Sequence, residues 1–172
     1  MNAVVVYESH WGNTGAIARA IAEGLGHQAR ALTTDEASGT AIVDADHIVA
    51  GAPVIAFGLA SDKTRAELVK DSSKAPAAPD LSHPSMRSWL DSLPSGEGRS
   101  AAFETRVWWS PRGATGAIER GLHGAGYRPL AKAGRFVVEG TYGPLREGEL
   151  ERARQWGAEL AKTMTGETQG QS

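Results

Sequence analysis

Six residues near the start of the chain, 9–14, read SHWGNT and directly follow an apolar run. The hydroxyls of Ser9 and Thr14 and the amide of Asn13 can donate hydrogen bonds without bringing a full positive charge. A helix that begins near Asn13 would add backbone N–H groups without intrahelical partners and the positive end of its dipole. Gly12 allows close backbone approach or a positive φ. The pattern therefore predicts a phosphate-binding loop at a helix N-terminus.

The loop also has other interpretations. A serine or threonine at a helix start is a common N-cap, and Ser9 and Thr14 taken alone would fit that role. The ATP-binding pattern GxxxxGK[ST] is absent, and Gly12 and Gly15 do not reproduce the dinucleotide pattern GxGxxG. A loop of neutral donors suits a terminal phosphate monoester, and flavin mononucleotide (FMN) carries such a group.

Composition narrows the classes of protein to consider. The chain has 172 residues, a net charge of −2 and no cysteine. This length indicates one domain, which we assign to residues 1–164, followed by a polar, flexible tail at residues 165–172. Charges of both signs are mixed along the chain, so nucleic acid is not an expected partner. The lack of cysteine agrees with a cytoplasmic location, and no apolar run is long enough to span a membrane.

Motifs for other kinds of chemistry are missing. No GxSxG or HExxH sequence occurs, so serine-hydrolase and zinc-protease functions have no support. The acidic pair at residues 44 and 46 lacks the glycine and the distal glutamate of a calcium loop. We therefore expect no metal site and no dedicated catalytic side chain.

The elements that must position the loop alternate along the sequence. Short apolar runs typical of strands buried on both faces occur at residues 4–7, 29–32, 47–52, 101–103 and 136–138. Apolar residues at helical spacing occur at 17–25, 86–93, 118–122 and 150–164. The proline-containing segment 71–85 reads as a surface loop. This alternation predicts an α/β protein with an open parallel sheet and helices on both faces.

The phosphate loop and its surroundings resemble the flavodoxin family. SHWGNT is similar to the flavodoxin pattern [ST]-x-[ST]-G-N-T and departs from it at Trp11, where flavodoxins usually have a hydroxyl and flavodoxin-like quinone reductases accept an aromatic residue. The similarity continues through DHIVAGAPVIAFG (46–58), AAFETRVWW (101–109) and GPLREGELERARQWGAELA (143–161). It looks most like the flavodoxin-family proteins of high-GC bacteria.

The resemblance implies both a fold and a cofactor. The implied fold is a flavodoxin-like three-layer sandwich, with a five-stranded parallel sheet in the order 2-1-3-4-5. The implied cofactor is FMN, held by the phosphate loop, by a second loop after the third strand and by a third loop after the fourth strand. The cofactor-binding residues that it implies are Ser9, His10, Trp11, Gly12, Asn13, Thr14, Pro53, Val54, Ile55, Ala56, Phe57, Gly58, Glu104, Thr105, Arg106, Trp108 and Trp109.

Several of these residues have two interpretations at this point. By the resemblance, Phe57 would pack on one face of the flavin ring and Trp108 or Trp109 on the other, since aromatic side chains suit a flat, largely apolar ring. The two tryptophans could equally be packing residues. His10 could approach the phosphate as a cation or face solvent.

Charged residues near the implied ring also have alternatives. Arg106 beside the ring would make its potential less negative than that of the acidic electron carriers, with Glu104 as an opposing charge. Those two residues could instead form an ordinary surface pair. Lys63 and Arg65 could begin a helix that borders the site, but we favour solvated side chains for both.

Two functional classes follow from the implied cofactor, and a third does without it. The chain could transfer electrons to partner proteins through an exposed flavin edge, which is the function that we favour. It could instead be an NAD(P)H-dependent FMN oxidoreductase that reduces a small acceptor such as a quinone. In both cases the flavin would carry the chemistry, so no catalytic side chain is required. The remaining alternative is a flavodoxin-like scaffold for protein interaction that binds no flavin.

Overall fold

The computed structural model describes residues 2–170 and contains a seven-stranded sheet flanked by helices. The strands are β1 (Ala3–Tyr7), β2 (Arg30–Thr33), β3 (His47–Ile55), β4 (Gly58–Leu59), β5 (Arg99–Val107), β6 (Arg128–Pro129) and β7 (Gly134–Val138). The helices are α1 (Asn13–Leu25), α2 (Thr40–Val43), α3 (Asp62–Lys70), α4 (Met86–Asp91), α5 (Thr115–Gly124) and α6 (Glu149–Gly170), with a 3-10 turn at Ser72–Lys74.

The sheet has the predicted parallel order. β1 lies between β2 and β3, and β5 lies beyond β3, all in parallel register. The fifth position beside β5 is shared by two short parallel strands, because β6 pairs with the start of β5 and β7 with its end. β4 adds a short antiparallel pair at the end of β3. The predicted order 2-1-3-4-5 is confirmed, with its last strand divided in two.

Both faces of the sheet are covered, as the unbroken apolar runs predicted. Val4, Val6 and Ile48 pack with buried residues of α2, α4 and α5 on one face. Val5 and Val49 pack with buried residues of α1 and α6 on the other. This alternation of side chains explains why the central parts of β1 and β3 have apolar residues at successive positions.

Helices α1 and α6 approach each other through two glycines. A β-carbon at Gly24 would collide with the backbone oxygen of Arg154, and one at Gly157 with the backbone oxygen of Ile21. The missing side chains therefore allow backbone contact between the helices. This contact fixes α1, whose N-terminus is the predicted phosphate loop.

Two segments differ from the sequence predictions. A helix, α3, covers residues 62–70, and Arg65 within it is buried, so the preference for a solvated Arg65 was wrong; Lys63 is exposed as expected. Helix α6 continues to Gly170 through most of the segment predicted as a flexible tail, and residues 171–172 lie outside the described residues. Segment 71–85 is a largely exposed loop, as predicted, and it folds back on the phosphate loop. Of the helices in residues 2–170, none has the length and apolar character needed to cross a membrane.

Candidate functional site

A cavity of about 240 Å³ lies at the carboxyl ends of β1, β3 and β5. Three loops line it, which is where an open parallel sheet places its ligand site. Most of the predicted cofactor residues contribute to its wall: Ser9, His10, Trp11, Asn13, Thr14, Pro53, Val54, Ile55, Ala56, Phe57, Thr105, Arg106 and Trp109. Four predicted residues do not line it, namely Gly12, Gly58, Glu104 and Trp108. The three predicted loops therefore line one cavity, and the role of each residue in binding is a separate question.

The first loop ends at the N-terminus of α1. Gly12 is the residue that precedes the helix and has a φ of 95°, in the left-handed region that glycine tolerates. Gly12 is the N-cap residue and has no side chain with which to cap the helix. The Ser9 hydroxyl instead accepts a hydrogen bond from the Gly15 N–H at 3.2 Å. Unpaired amides of the first turn therefore remain available for an anion.

The hydroxyls of this loop retain hydrogens to donate. Thr14 Oγ1 and Thr105 Oγ1 lie 2.7 Å apart and share one hydrogen bond, so one of the two O–H groups is free to donate to a ligand. Ser9 Oγ acts as an acceptor toward Gly15 and keeps its own hydrogen. These donors and the first-turn amides suit a phosphate ester, and in this respect the residues present fit the phosphate of FMN.

The floor under the loop is a buried carboxylate. Glu8 is fully buried and comes directly after β1. Its Oε1 accepts the Met86 N–H at 2.8 Å, and its Oε2 lies 2.7 Å from His10 Nε2 and 3.3 Å from Arg65 Nε. Helix α3 brings Arg65 to this position, and that helix is capped by Ser61, whose Oγ accepts the Thr64 N–H. Through these contacts Glu8 connects the loop to α3 and α4.

His83 supports the same loop as a neutral base. Its Nε2 accepts the Ser9 N–H at 3.1 Å, so that nitrogen carries no proton. Burial lowers the pKa of His83, while Asp80, whose Oδ1 is 3.8 Å from His83 Nδ1, opposes this change. The Ser82 hydroxyl and N–H both donate to Asp80 and lower the pKa of its carboxyl group.

Residues 75–85, which we term the strap, cover the outer side of the loop. The Trp11 Nε1–H donates to the Ala77 oxygen at 3.0 Å, and the Asp80 N–H donates to the His10 oxygen at 2.8 Å. The Trp11 ring also meets Tyr142 edge to face, with 4.7 Å between ring centroids. The indole that replaces the usual hydroxyl is thus anchored to the strap and forms part of the wall, and the cavity beside it stays open.

The second loop is a tight hairpin between β3 and β4. Val54 pairs with Leu59 and Ile55 with Gly58, which leaves Ala56 and Phe57 as the two turn residues. Both have positive φ, 50° and 65°, although neither is glycine. Such a conformation costs about 1–2 kcal/mol for each residue. The turn holds the Phe57 side chain at the rim of the cavity, where it is 42% exposed.

The third loop contains an aromatic rim and a buried ion pair. Trp109 is 58% exposed and meets Phe57 edge to face at 6.2 Å between centroids. Trp108 is exposed outside the cavity, so of the two tryptophans only Trp109 is placed to contact a ring in it. Phe57 and Trp109 together form an apolar mouth, which suits a flat, partly exposed ring system.

Glu104 has a structural role that the sequence did not reveal. Its Oε1 accepts the Ala114 and Thr115 N–H groups at 2.9 and 3.0 Å, and so it caps α5 in place of a local side chain. Its Oε2 lies 3.1 Å from Arg106 Nη1. Placing Glu104 in the cavity wall was therefore wrong, because capping turns its carboxylate away from the cavity. The expectation of a surface pair was also wrong, since Glu104 is fully buried.

Arg106 lines the cavity with its charge partly balanced. It bonds to Glu104, and its Nη2 also donates to the Ser110 oxygen. Acidic residues are absent from the cavity wall within the described part of the chain, and His10 and Arg106 are the ionisable side chains there. We also find no cluster of three potential metal ligands among residues 2–170.

Five residues of the wall were not predicted, namely Leu68, Val107, Ser110, Val138 and Thr141. Val138 ends β7, so the rule that ligands lie at the carboxyl ends of strands could have indicated it and the loop that follows. Leu68 belongs to α3, which the sequence analysis did not assign as a helix.

Searches with known proteins connect this geometry to one fold. The structure is similar to that of a flavodoxin from the domain Archaea, with a TM-score of 0.65 and 19% identity over 96% of this chain and 99% of that one. Oxidised flavodoxin 2 from Bacillus cereus aligns with a TM-score of 0.64 and 13% identity over 94% and 99% of the two chains. A WrbA-like flavodoxin from Agrobacterium tumefaciens gives 0.54 and 23%, over 94% and 95%.

At sequence level neither a family model nor a curated protein matches. The identities to the solved structures are low, so the similarity establishes the fold alone. The chain therefore has the flavodoxin-like fold that the resemblance implied.

Proposed function

We propose that the chain binds FMN in this cavity and acts as a redox protein. The observation that carries the proposal is the meeting of two different surfaces at one sheet edge. Unpaired amides and free hydroxyls lie around the N-terminus of α1, and an apolar mouth formed by Phe57 and Trp109 lies beside them. A flavin ring that carries a phosphate ester has both of the matching surfaces.

The phosphate would lie against Ser9, Thr14 and the first turn of α1. The backbone of residues 53–58 would meet the edge of the ring, and Phe57 and Trp109 would flank its faces. When bound, the flavin would accept and release electrons, and the chain would hold it, orient it and tune its potential. The exposed Trp108 lies outside the cavity and has no assigned part in binding.

The charges on the cavity wall favour a potential less negative than that of an acidic carrier. Reduced flavin is negatively charged at its pyrimidine edge, and a nearby carboxylate would make that charge harder to accept. Arg106 is the permanent cation on the wall, and Glu104 reduces its effect. We expect the two-electron midpoint to lie above that of acidic flavodoxins. A potentiometric titration checks this, and a midpoint below theirs would contradict it.

We favour electron transfer to partner proteins in the cytoplasm, because the apolar mouth leaves the ring edge accessible to a docked protein. The alternative is hydride transfer from NAD(P)H through the flavin to a quinone, for which the same open mouth would admit small molecules. No feature of the cavity wall identifies a nicotinamide site.

Two measurements test the proposal. Purified protein should bind FMN, which titration calorimetry and quenching of flavin fluorescence both detect; no heat and no quenching with saturating FMN would contradict it and favour the scaffold without flavin. Addition of NADH or NADPH, with and without a quinone, then separates the two redox functions. Rapid bleaching by the nicotinamide, with recovery on addition of quinone, would support the reductase over the carrier.

A further inference from the structure

His10 is a buried histidine in the wall of the proposed phosphate site. It is 3% exposed and lines the cavity three residues before α1 begins. Its Nε2 is 2.7 Å from Glu8 Oε2, whereas its Nδ1 is buried without a hydrogen-bond partner in the described part of the chain. The alternative in which His10 faces solvent is therefore wrong, and its second ring nitrogen has no protein partner among residues 2–170.

The contacts of Glu8 assign one hydrogen of this ring. Glu8 accepts the Met86 N–H and lies beside Arg65, so we assign the hydrogen between Glu8 and His10 to His10 Nε2. A neutral His10 then has a bare acceptor at Nδ1. The oxygens of a phosphate dianion are acceptors as well, so Nδ1 can bond to phosphate only after it takes up a proton.

The charge balance around His10 favours that proton when an anion is present. Glu8 and Arg65 cancel each other, and His83 is neutral because its Nε2 accepts a hydrogen bond. Asp80 is exposed to solvent on the strap, and Arg106 faces the cavity from β5 but is paired with Glu104. A proton on His10 would thus leave the buried cluster one positive charge in excess, which would offset part of the negative charge of a bound phosphate dianion.

We propose that His10, oriented by Glu8, is a cationic ligand of the phosphate and makes the site selective for the phosphorylated flavin. The inference rests on the proposed FMN site. When FMN binds, His10 Nδ1 takes up a proton. When riboflavin, which lacks the phosphate, binds, no proton is taken up. The affinity for FMN is consequently higher at mildly acidic pH than at mildly basic pH.

Two substitutions at position 10 separate the ring nitrogens. His10→Gln places an amide near Nε2 and keeps the contact with Glu8, but it offers nothing to the phosphate. His10→Asn places a neutral donor near Nδ1 and gives up the contact with Glu8. His27→Gln, on an exposed histidine just after α1, is the matched control.

At about pH 6 we expect His10→Gln to weaken FMN binding by roughly tenfold to a hundredfold, as loss of a charge-assisted hydrogen bond predicts. His10→Asn should fall between that variant and the wild type. The His27→Gln control should bind FMN as the wild type does, and riboflavin should bind all four proteins alike. Titration calorimetry gives these affinities, and wild-type affinity for FMN in both His10 variants would overturn the inference.

The pH dependence gives a second readout. FMN changes its own phosphate charge near neutral pH, but this effect cancels in the ratio of the wild-type to His10→Gln affinities. That ratio should fall between about pH 6 and about pH 8, by up to tenfold per pH unit. Calorimetry in buffers of different ionisation enthalpy should show greater proton uptake by the wild type than by His10→Gln. A ratio that does not change with pH would overturn the proton uptake.

The outcomes separate this inference from the proposed function. If the wild type binds no FMN, both fail. If it binds FMN and the His10 variants bind it equally well, the FMN site stands and the role of His10 is overturned. Riboflavin binding shows whether each variant is folded, and if His10→Gln does not fold, His10→Asn provides the same comparison of FMN with riboflavin.

Discussion

The two sides of the cavity are built in opposite ways, although both follow the carboxyl end of a buried parallel strand. On the phosphate side, residues 8–14 lie on buried charged groups and under the strap. On the ring side, the hairpin at 54–59 places Phe57 at an exposed rim, on a turn with two strained residues, and the loop after β5 adds Trp109 to the same rim. The first arrangement fixes donors for one small anion, and the second offers an adaptable apolar surface.

The difference shows how a binding site can divide its tasks. Phosphate recognition depends on donor positions within fractions of an ångström, so it requires support from a second layer of residues. Ring recognition depends on contact area, which tolerates small movements. The substitutions below test this division by acting on one side and leaving the other intact.

The largest effect is expected on stability, from substitution of the buried Glu8 on the phosphate side. Glu8→Ala would leave Arg65 as a buried charge without its partner and remove the acceptor of the Met86 N–H. We expect a loss of about 3–5 kcal/mol in the free energy of unfolding, measured by urea denaturation. Phe57→Ala on the exposed rim serves as the contrast and should change stability much less. Similar losses for the two variants would remove the distinction between a rigid side and an adaptable one.

The next largest effect is expected on FMN affinity, from loss of the Thr14 hydroxyl. Thr14→Val removes one of the two hydroxyls that share a hydrogen bond at the cavity wall. FMN affinity should fall by about 1–3 kcal/mol, the range for a hydrogen bond to a charged group, while riboflavin affinity stays the same. Thr163→Val, on the exposed side of α6, is the control. Unchanged FMN affinity in Thr14→Val would assign Thr14 to a packing role alone.

Lowering the pH should destabilise the folded chain through protonation of His83. Its pKa is lowered in the folded state, so its contribution to stability is complete above the ordinary value of 6.5 and is lost as the pH falls through the lowered value. The slope is at most about 1.4 kcal/mol per pH unit. In His83→Gln the amide oxygen can accept the Ser9 N–H at any pH in this range. Urea midpoints should therefore fall more steeply with acid in the wild type, and equal slopes would contradict the role of His83.

The sequence indicated the elements more completely than it indicated the second layer of the site. The apolar runs and the SHWGNT loop are local patterns, and they located the main strands of the sheet and most of the cavity wall. The pairing of Glu8 with Arg65 and the capping of α5 by Glu104 depend on residues that meet only after folding. Helix α3 was only the less favoured of two alternatives, because it has one buried side chain, Arg65, and so no apolar stripe.

The smallest effect is expected on the ring side, where strain can be relieved. Ala56 has a φ of 50°, which costs an alanine about 1–2 kcal/mol, whereas glycine adopts it freely. Glycine also loses about 0.5–1 kcal/mol more conformational entropy on folding, so Ala56→Gly should stabilise the chain by roughly 0.5 kcal/mol. The matched control is Ala66→Gly on the exposed side of α3, where the same exchange should destabilise it by about 0.5–1 kcal/mol. Urea midpoints that shift in opposite directions support a strained turn. A fall in both midpoints would mean that the hairpin holds Ala56 without backbone strain. The contrast between a strained ring side and a well-supported phosphate side would then be lost.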